Sequence, residues 1–222
     1  MNFKKADLLN YMADHIIVPG YTTLNDGLNQ LELAFQNYSS QPSEQTLEEM
    51  KAEWRNSVLA FNSVRVFNFG PAMDLGLKAA LGTFPTDTVK INDNIASGTS
   101  NLAQADQQDA IGLPAIEFLL FRNDARERLN EQGSLSYLSK LIEKARTEVN
   151  SVLNTWKNSY SSKFKASTGT ESTSGFSYLV NEFNRDYELA KNAKIGIPIG
   201  KQSLGVAQYE YIEAPYAQYS LR

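Results

Sequence analysis

Apolar residues recur along most of this chain at intervals of three and four, the period of helices buried on one face. Leu8, Leu9, Met12, Ile16 and Ile17 mark a first helix over residues 6–18, which Pro19 and Gly20 are expected to interrupt. Tyr21, Leu24, Leu28, Leu31, Phe35 and Tyr38 trace one face of a second helix, and the polar run NYSSQPSEQ reads as a loop. The stretch TLEE predicts the start of a third helix, with Thr46 as cap and Glu49 closing a capping box. Its face runs through Leu47, Met50, Trp54, Val58, Phe61 and then Val64 or Arg65 to Phe69, ahead of Gly70 and Pro71.

Residues 70–112 are rich in Gly, Pro, Thr, Asp and Asn and read as irregular chain with one or two short helices. Such long irregular stretches inside compact domains are often functional. Pro114 suits the first turn of a further helix reaching about Asn130. Ser134 is then placed as the cap of a long helix with Leu135, Leu138, Leu141, Ile142, Ala145, Val149, Val152, Trp156, Tyr160 and Phe164 on one face. After the polar loop KASTGTESTSG, a last helix carries Phe176, Leu179, Val180, Phe183, Tyr187 and Ala190. KIGIPIGKQSLG alternates Ile with small residues and is read as extended or turn-like. No strand pattern is strong enough to build a sheet. The fold expected is all-α, with antiparallel helical bundles and an irregular segment near 70–112.

Composition narrows the function. Of 222 residues, 42% are hydrophobic and 21% charged, as in an ordinary globular protein. The net charge of -4 lacks the basic excess of a nucleic-acid binder. With no cysteine there is no disulfide, thiolate metal site or cysteine nucleophile. With one histidine, His15, a two-histidine zinc site cannot form within the chain, and His15 at the end of an apolar face reads as a structural or surface residue. The longest apolar runs are far too short to span a bilayer, and the N-terminus has neither the apolar core nor the cleavage site of a signal peptide.

The segment GLPAIEFLLF, residues 112–121, holds one carboxylate in an apolar run. Ionised Glu is almost never fully buried without a partner. With Pro114 at the first helical position, Glu117 falls near the end of the first turn, on the face of Pro114, where the helix dipole favours negative charge. Two readings stay open: a helix-start carboxylate meeting solvent or a nearby cation, or a semi-buried carboxylate lining a cleft with a perturbed pKa. The glycines of KIGIPIGK could form an anion nest with Lys194 and Lys201, or only a structural turn. Trp54, Trp156 and the tail AQYEYIEAPYAQYSLR, which holds four tyrosines, are read as core or as an interaction surface, and such a tail is expected to dock.

GLPAIEFLLF resembles the signature of the imelysin-like family, the peptidase M75-like proteins, whose motif is Gly-x-His-x-x-Glu followed by an apolar run. HIIVPGYTTL, WRNSVLAFNSVRVFNFGPAMD, FPTD and KIGIPIGKQSLG are similar to further family segments in the same order. The resemblance implies an all-helical protein of two bundles with a site between them. Residues 1–222 would then hold the N-terminal bundle and the start of the second, the C-terminal part of the family fold being absent. It implies a bacterial, exported protein of the periplasm or cell surface, often a lipoprotein, linked to iron or haem acquisition; the signal segment and any lipid anchor would belong to the full-length precursor.

The site it implies consists of Gly112, Pro114 and Glu117, with Pro114 at the histidine position, and Asp74, Asp87, Asp93 and Lys201 as cleft residues. The proline side chain offers no metal ligand and no acid–base group. A metal ion, whether iron, zinc or calcium, would need oxygens of Asp74, Asp87 or Asp93 to converge on Glu117. The expectation is therefore a non-catalytic protein that binds a still unidentified ligand or a cell-envelope protein partner. A metallopeptidase with an altered site and a structural helical scaffold are the alternatives.

Overall fold

The computed structural model describes residues 4–98 and 101–218. It is 74% helical, and no strand occurs among the described residues. Helix α1 (Lys5–Tyr11) passes through a π turn (Met12–Ile17) into α2 (Val18–Ser40). Pro19 therefore does not interrupt the helix. It has no N–H to give, and its ring would crowd the carbonyl four residues back. The π turn widens the backbone just ahead of it, and the Val18 N–H bonds the Ala13 carbonyl five residues back. Gly20 allows close packing instead of a break, since a Cβ there would lie 2.6 Å from Val64 Cγ1.

Helix α3 (Glu44–Val64) starts earlier than TLEE suggests. Ser43 is its cap: the Ser43 hydroxyl accepts the Thr46 N–H at 3.1 Å, and the Ser43 N–H donates to Thr46 Oγ1 at 3.1 Å. Both members of this capping box sit three residues before the pair expected from the sequence. At its far end α3 stops at Val64. Phe69 is buried all the same, from non-helical chain, stacked on Phe164 and Tyr178.

The segment 70–112 is more ordered than expected. It forms α4 (Pro71–Asp74), α5 (Leu77–Gly82), α6 (Thr88–Ser97) and a 3₁₀ turn over Ala105–Ala110. Then come α7 (Gly112–Phe121) and α8 (Ala125–Arg128). The helix expected to reach Asn130 breaks at Arg122, whose backbone is extended and whose side chain bonds Asp124. Helix α9 (Gln132–Thr155) runs through a second π turn (Trp156–Tyr160) into α10 (Ser161–Ala166). It begins two residues before Ser134, which is buried in its first turn. Helix α11 (Gly175–Leu189) is capped by Ser174. Part of its apolar face meets solvent, for Val180, Phe183 and Tyr187 are exposed while Tyr178 and Leu179 pack on the core.

Helix α2 is the spine, with α3 and α9 packed along it. The α2–α9 pair is antiparallel: Arg146 reaches Asn29 and Glu32, while Lys165, further along, reaches back to Asp14. Leu24, Leu28, Leu31, Met50, Trp54, Leu138, Ile142 and Val149 fill the interior. Burial of each such side chain contributes roughly 1.5–3 kcal/mol before chain entropy is charged against it. Helix α7 lies between α3 and α9, with α5 against its start.

That start is set by Gly112. Its φ is +78°, and a Cβ there would lie 2.5 Å from the Ala80 carbonyl oxygen and 2.8 Å from that of Leu81. Gly112→Ala is therefore expected to lower stability by about 2–4 kcal/mol, from left-handed strain and a backbone clash together. Urea unfolding followed by circular dichroism measures this, and a change within about 0.5 kcal/mol would contradict the close approach of α5 to α7.

Candidate functional site

Helix α7 is buried almost all round, eight of its ten residues being inaccessible, with Pro114 and Phe121 partly exposed. Trp54 of α3 fixes its entry by donating Nε1–H to the Leu113 carbonyl at 2.9 Å. Pro114 is the third helical residue, where an N–H would have no helical acceptor, so proline costs no hydrogen bond. Glu117 consequently stands in the second turn, deeper than expected, with 1% of its surface exposed.

The partners of Glu117 come from far along the chain. Its Oε1 accepts the backbone N–H of Tyr216 at 2.9 Å and of Ala217 at 2.7 Å. The Tyr216 ring packs on Phe118 with centroids 5.3 Å apart, and Ala214 is buried beneath the same segment. Glu213, just before, is ion-paired with Lys194, whose ammonium lies over the Phe84 ring at 5.5 Å from its centroid. The tyrosine-rich tail does dock, and Glu117 is its clasp. Tyr219 and Arg222 lie outside the described residues.

Pro114 and Glu117 share a face, as their spacing predicts, and line two cavities. A narrow one of about 30 Å³ extends toward Trp54 and Phe61. A larger one of about 460 Å³ lies toward Phe84, Thr86 and the 209–216 segment. Burial pushes the Glu117 carboxyl up to about 7; the N–H groups of Ala217 and Tyr216 oppose this, and the Glu213 charge adds to it. Of the two readings open from the sequence, the geometry matches the buried, cleft-lining carboxylate.

The other residues singled out do not gather round it. Asp87 caps α6 by accepting the Lys90 N–H at 2.9 Å. Asp74, Asp93 and Lys201 are exposed, and none of the four lines either cavity with Glu117. His15 is exposed and packs on Tyr11. Lys194 and Lys201, paired in the anion-nest reading, part company: Lys194 is buried and Lys201 is not. The Gly200 N–H bonds the Ile197 carbonyl, and the Gly196 carbonyl takes the Lys201 and Gln202 N–H groups, so the glycines build a turn. Missed in the sequence were Arg65, Lys78 and Asp186: Asp186 takes Arg65 at 3.1 Å and Lys78 at 2.7 Å. The available signal was Arg65 itself, a cation directly after the apolar face of α3.

The family model described as Peptidase_M75: Imelysin matches residues 17–222. The chain belongs to the imelysin family. It is 31% identical over 109 residues to Iron-regulated protein A of Synechococcus elongatus (strain ATCC 33912 / PCC 7942 / FACHB-805), a match covering 49% of this chain and 30% of that protein. Among solved structures, one described as an iron-regulated protein A precursor from Parabacteroides distasonis ATCC 8503 has a TM-score of 0.79 at 19% identity, covering 96% of this chain and 68% of that one. An imelysin-like protein from Psychrobacter arcticum 273-4 has a TM-score of 0.75 at 19% identity, covering 88% and 63%. These two likenesses show the fold. The matched region is under a third of the cyanobacterial protein's length.

In this imelysin Gly112, Pro114 and Glu117 do not fit a metal ion. The Pro114 side chain offers no donor atom, and Glu117 Oε1 is engaged by two N–H groups. No group of three or more His, Cys, Asp or Glu side chains among the described residues could hold an ion.

The raised pKa has a definite sign in stability. Folded Glu117 keeps its proton to about pH 7, while the unfolded side chain loses it near 4.5. The added stability is complete below about pH 4.5 and is lost as pH rises through 7. Glu117→Gln keeps a carbonyl acceptor without the charge, so melting followed from pH 5 to 8 should fall less steeply in the variant than in the unmodified protein. Glu117→Ala leaves both N–H groups without an acceptor and should cost about 2–4 kcal/mol near pH 5, and less at pH 8, where the unmodified protein has lost the stability that the raised pKa supplies.

Proposed function

We propose that this imelysin acts without catalysis, as an exported protein that binds a ligand or a cell-envelope partner in bacterial iron or haem acquisition. One observation carries the non-catalytic part: Oε1 of Glu117, in the segment that resembles the family motif, is spent on holding backbone. Hydrolysis by a metallopeptidase needs a metal-bound water or an equivalent activated nucleophile, together with a base placed within reach of it. Pro114 supplies neither, and Glu117 Oε1 faces the N–H groups of Tyr216 and Ala217. A second carboxylate close by, Glu213, is paired with Lys194.

The link to iron rests on relatives, two of which carry the name iron-regulated protein A. Export to the periplasm or cell surface is likewise carried by the family. It is compatible with a structure in which no described helix is long and apolar enough to cross a membrane. The larger cavity beside Glu117 supplies the concave, mainly apolar surface that a small-molecule site requires.

The test is metal analysis of protein purified without added metal, run beside a generic peptide-cleavage assay with and without chelator. The expected outcome is substoichiometric metal and no chelator-sensitive cleavage. Stoichiometric metal with zinc-dependent hydrolysis would instead establish the metallopeptidase reading. Pro114→His restores an imidazole one helical turn before Glu117, and tight metal binding appearing only in that variant would identify the proline as what prevents it.

A further inference from the structure

A third cavity, of about 390 Å³, borders the Glu117 region and shares Phe61, Gly82 and Phe84 with the two described above. Its charged lining is one-sided. Arg65, Lys78 and Lys194 face it, and no carboxylate does among the described residues. These cations come from three separate parts of the chain: Arg65 just past the end of α3, Lys78 in α5, and Lys194 in a third π turn, Ala190–Gly196, after α11. Asp186 and Glu213 pair with them but are not part of the lining: Asp186 with Arg65 and Lys78, Glu213 with Lys194 and, at 4.0 Å, with Arg65.

The side chains are well removed from water, at 10% exposure for Arg65, 20% for Lys78 and 2% for Lys194. Each cation has a carboxylate partner, but three cations against two carboxylates leave the group as a whole with one positive charge over. The rest of the wall is mainly apolar, formed by Phe61, Met73, Phe84 and Leu189, with Asn68 and Thr83 as additional polar groups. Met73 is exposed, which opens the cavity to solvent on its side.

We propose that this cavity binds a small organic carboxylate, its anionic end on Arg65, Lys78 and Lys194 and its apolar body against Phe61, Phe84 and Leu189. Arg65 already donates from Nη2 to Asp186, and its remaining guanidinium N–H groups can meet an incoming carboxylate, with the ammonium groups as point charges beside it. An inorganic anion would satisfy the charge but leave the apolar wall wet and most of the volume unfilled. The proposal deepens the binding reading given above, and it stands apart from the question of catalysis.

Benzoate serves as the probe, with benzamide as its neutral counterpart and inorganic phosphate as the anion without an apolar body, each titrated by NMR or calorimetry into the whole chain. Benzoate should bind at least about ten-fold more tightly than either of the others. Lys78→Met keeps the side-chain stem and removes the most exposed of the three charges. It should weaken benzoate about ten-fold or more. Met73→Glu puts a negative charge at the exposed rim without touching the cations, and should weaken benzoate with the melting temperature unchanged. Equal binding of benzoate and benzamide, phosphate binding as tightly as benzoate, no benzoate binding, or full binding in Lys78→Met would each overturn the proposal. The peptide-cleavage and metal assays do not read this cavity, so failure here leaves the non-catalytic reading standing, and the reverse also holds.

Discussion

The acceptance of two backbone N–H groups by one buried carboxylate ties this molecule together at long range. Glu117 sits in the most enclosed helix of the bundle, and its donors lie 99 and 100 residues further on. Without that clasp the segment around Tyr209–Tyr216 would have no polar tether to α7. It would keep the Lys194–Glu213 pair and the contacts of Ala214 and the Tyr216 ring. The larger cavity beside Glu117 is walled by this segment, so its shape follows from the same hydrogen bonds. Burial makes ionisation of Glu117 unfavourable, and the donors make it tolerable. The carboxyl is held between these two demands, near the middle of the physiological pH range.

Much of the bundle could be read from the spacing of apolar residues. Tyr21, Leu24, Leu28 and Leu31 on α2 and Leu138, Leu141, Ile142 and Val149 on α9 are buried as their period implies. The start of α3 was harder, because Ser43–Thr46 and Thr46–Glu49 both satisfy a three-residue capping relation. The earlier pair wins directly after Pro42, where the chain is already turning. The face of α11 was misjudged at Val180, Phe183 and Tyr187, since periodicity shows that a helix has an apolar side and not what lies against it. In the segment 70–112 each helix is too short for a period to stand out.

The candidate site was half legible. Glu117 was conspicuous as the one charge in an apolar run, and its shared face with Pro114 followed from the three-residue spacing. Its partners were invisible for a simple reason: every residue except proline carries a backbone N–H, so such donors leave no mark in a sequence. The cation-lined cavity was hidden differently. Arg65, Lys78 and Lys194 are individually ordinary, and only the packing of α3, α5 and the turn after α11 brings them to one wall. The family relationship accounts for the helical bundle; what this chain does with the segment around Glu117 rests on its own side chains.

The π turns carry a consequence for length. Leu9, Ala13, Ile17 and Tyr21 are all buried, and so are Val152, Trp156 and Phe164, with Tyr160 partly so. Both rows advance by steady fours. On a regular α-helix every such step drifts by roughly 40°, and three steps carry a side chain well away from the interface. A wider turn absorbs the drift and keeps each row pointed at its neighbour. The two long helices are thus matched in phase as well as in composition. Conservative exchange within either row leaves the phase alone, whereas loss of a single residue from Met12–Ile17 would turn everything N-terminal to it about the helix axis. Evolution along this pair is therefore freer in residue type than in residue number.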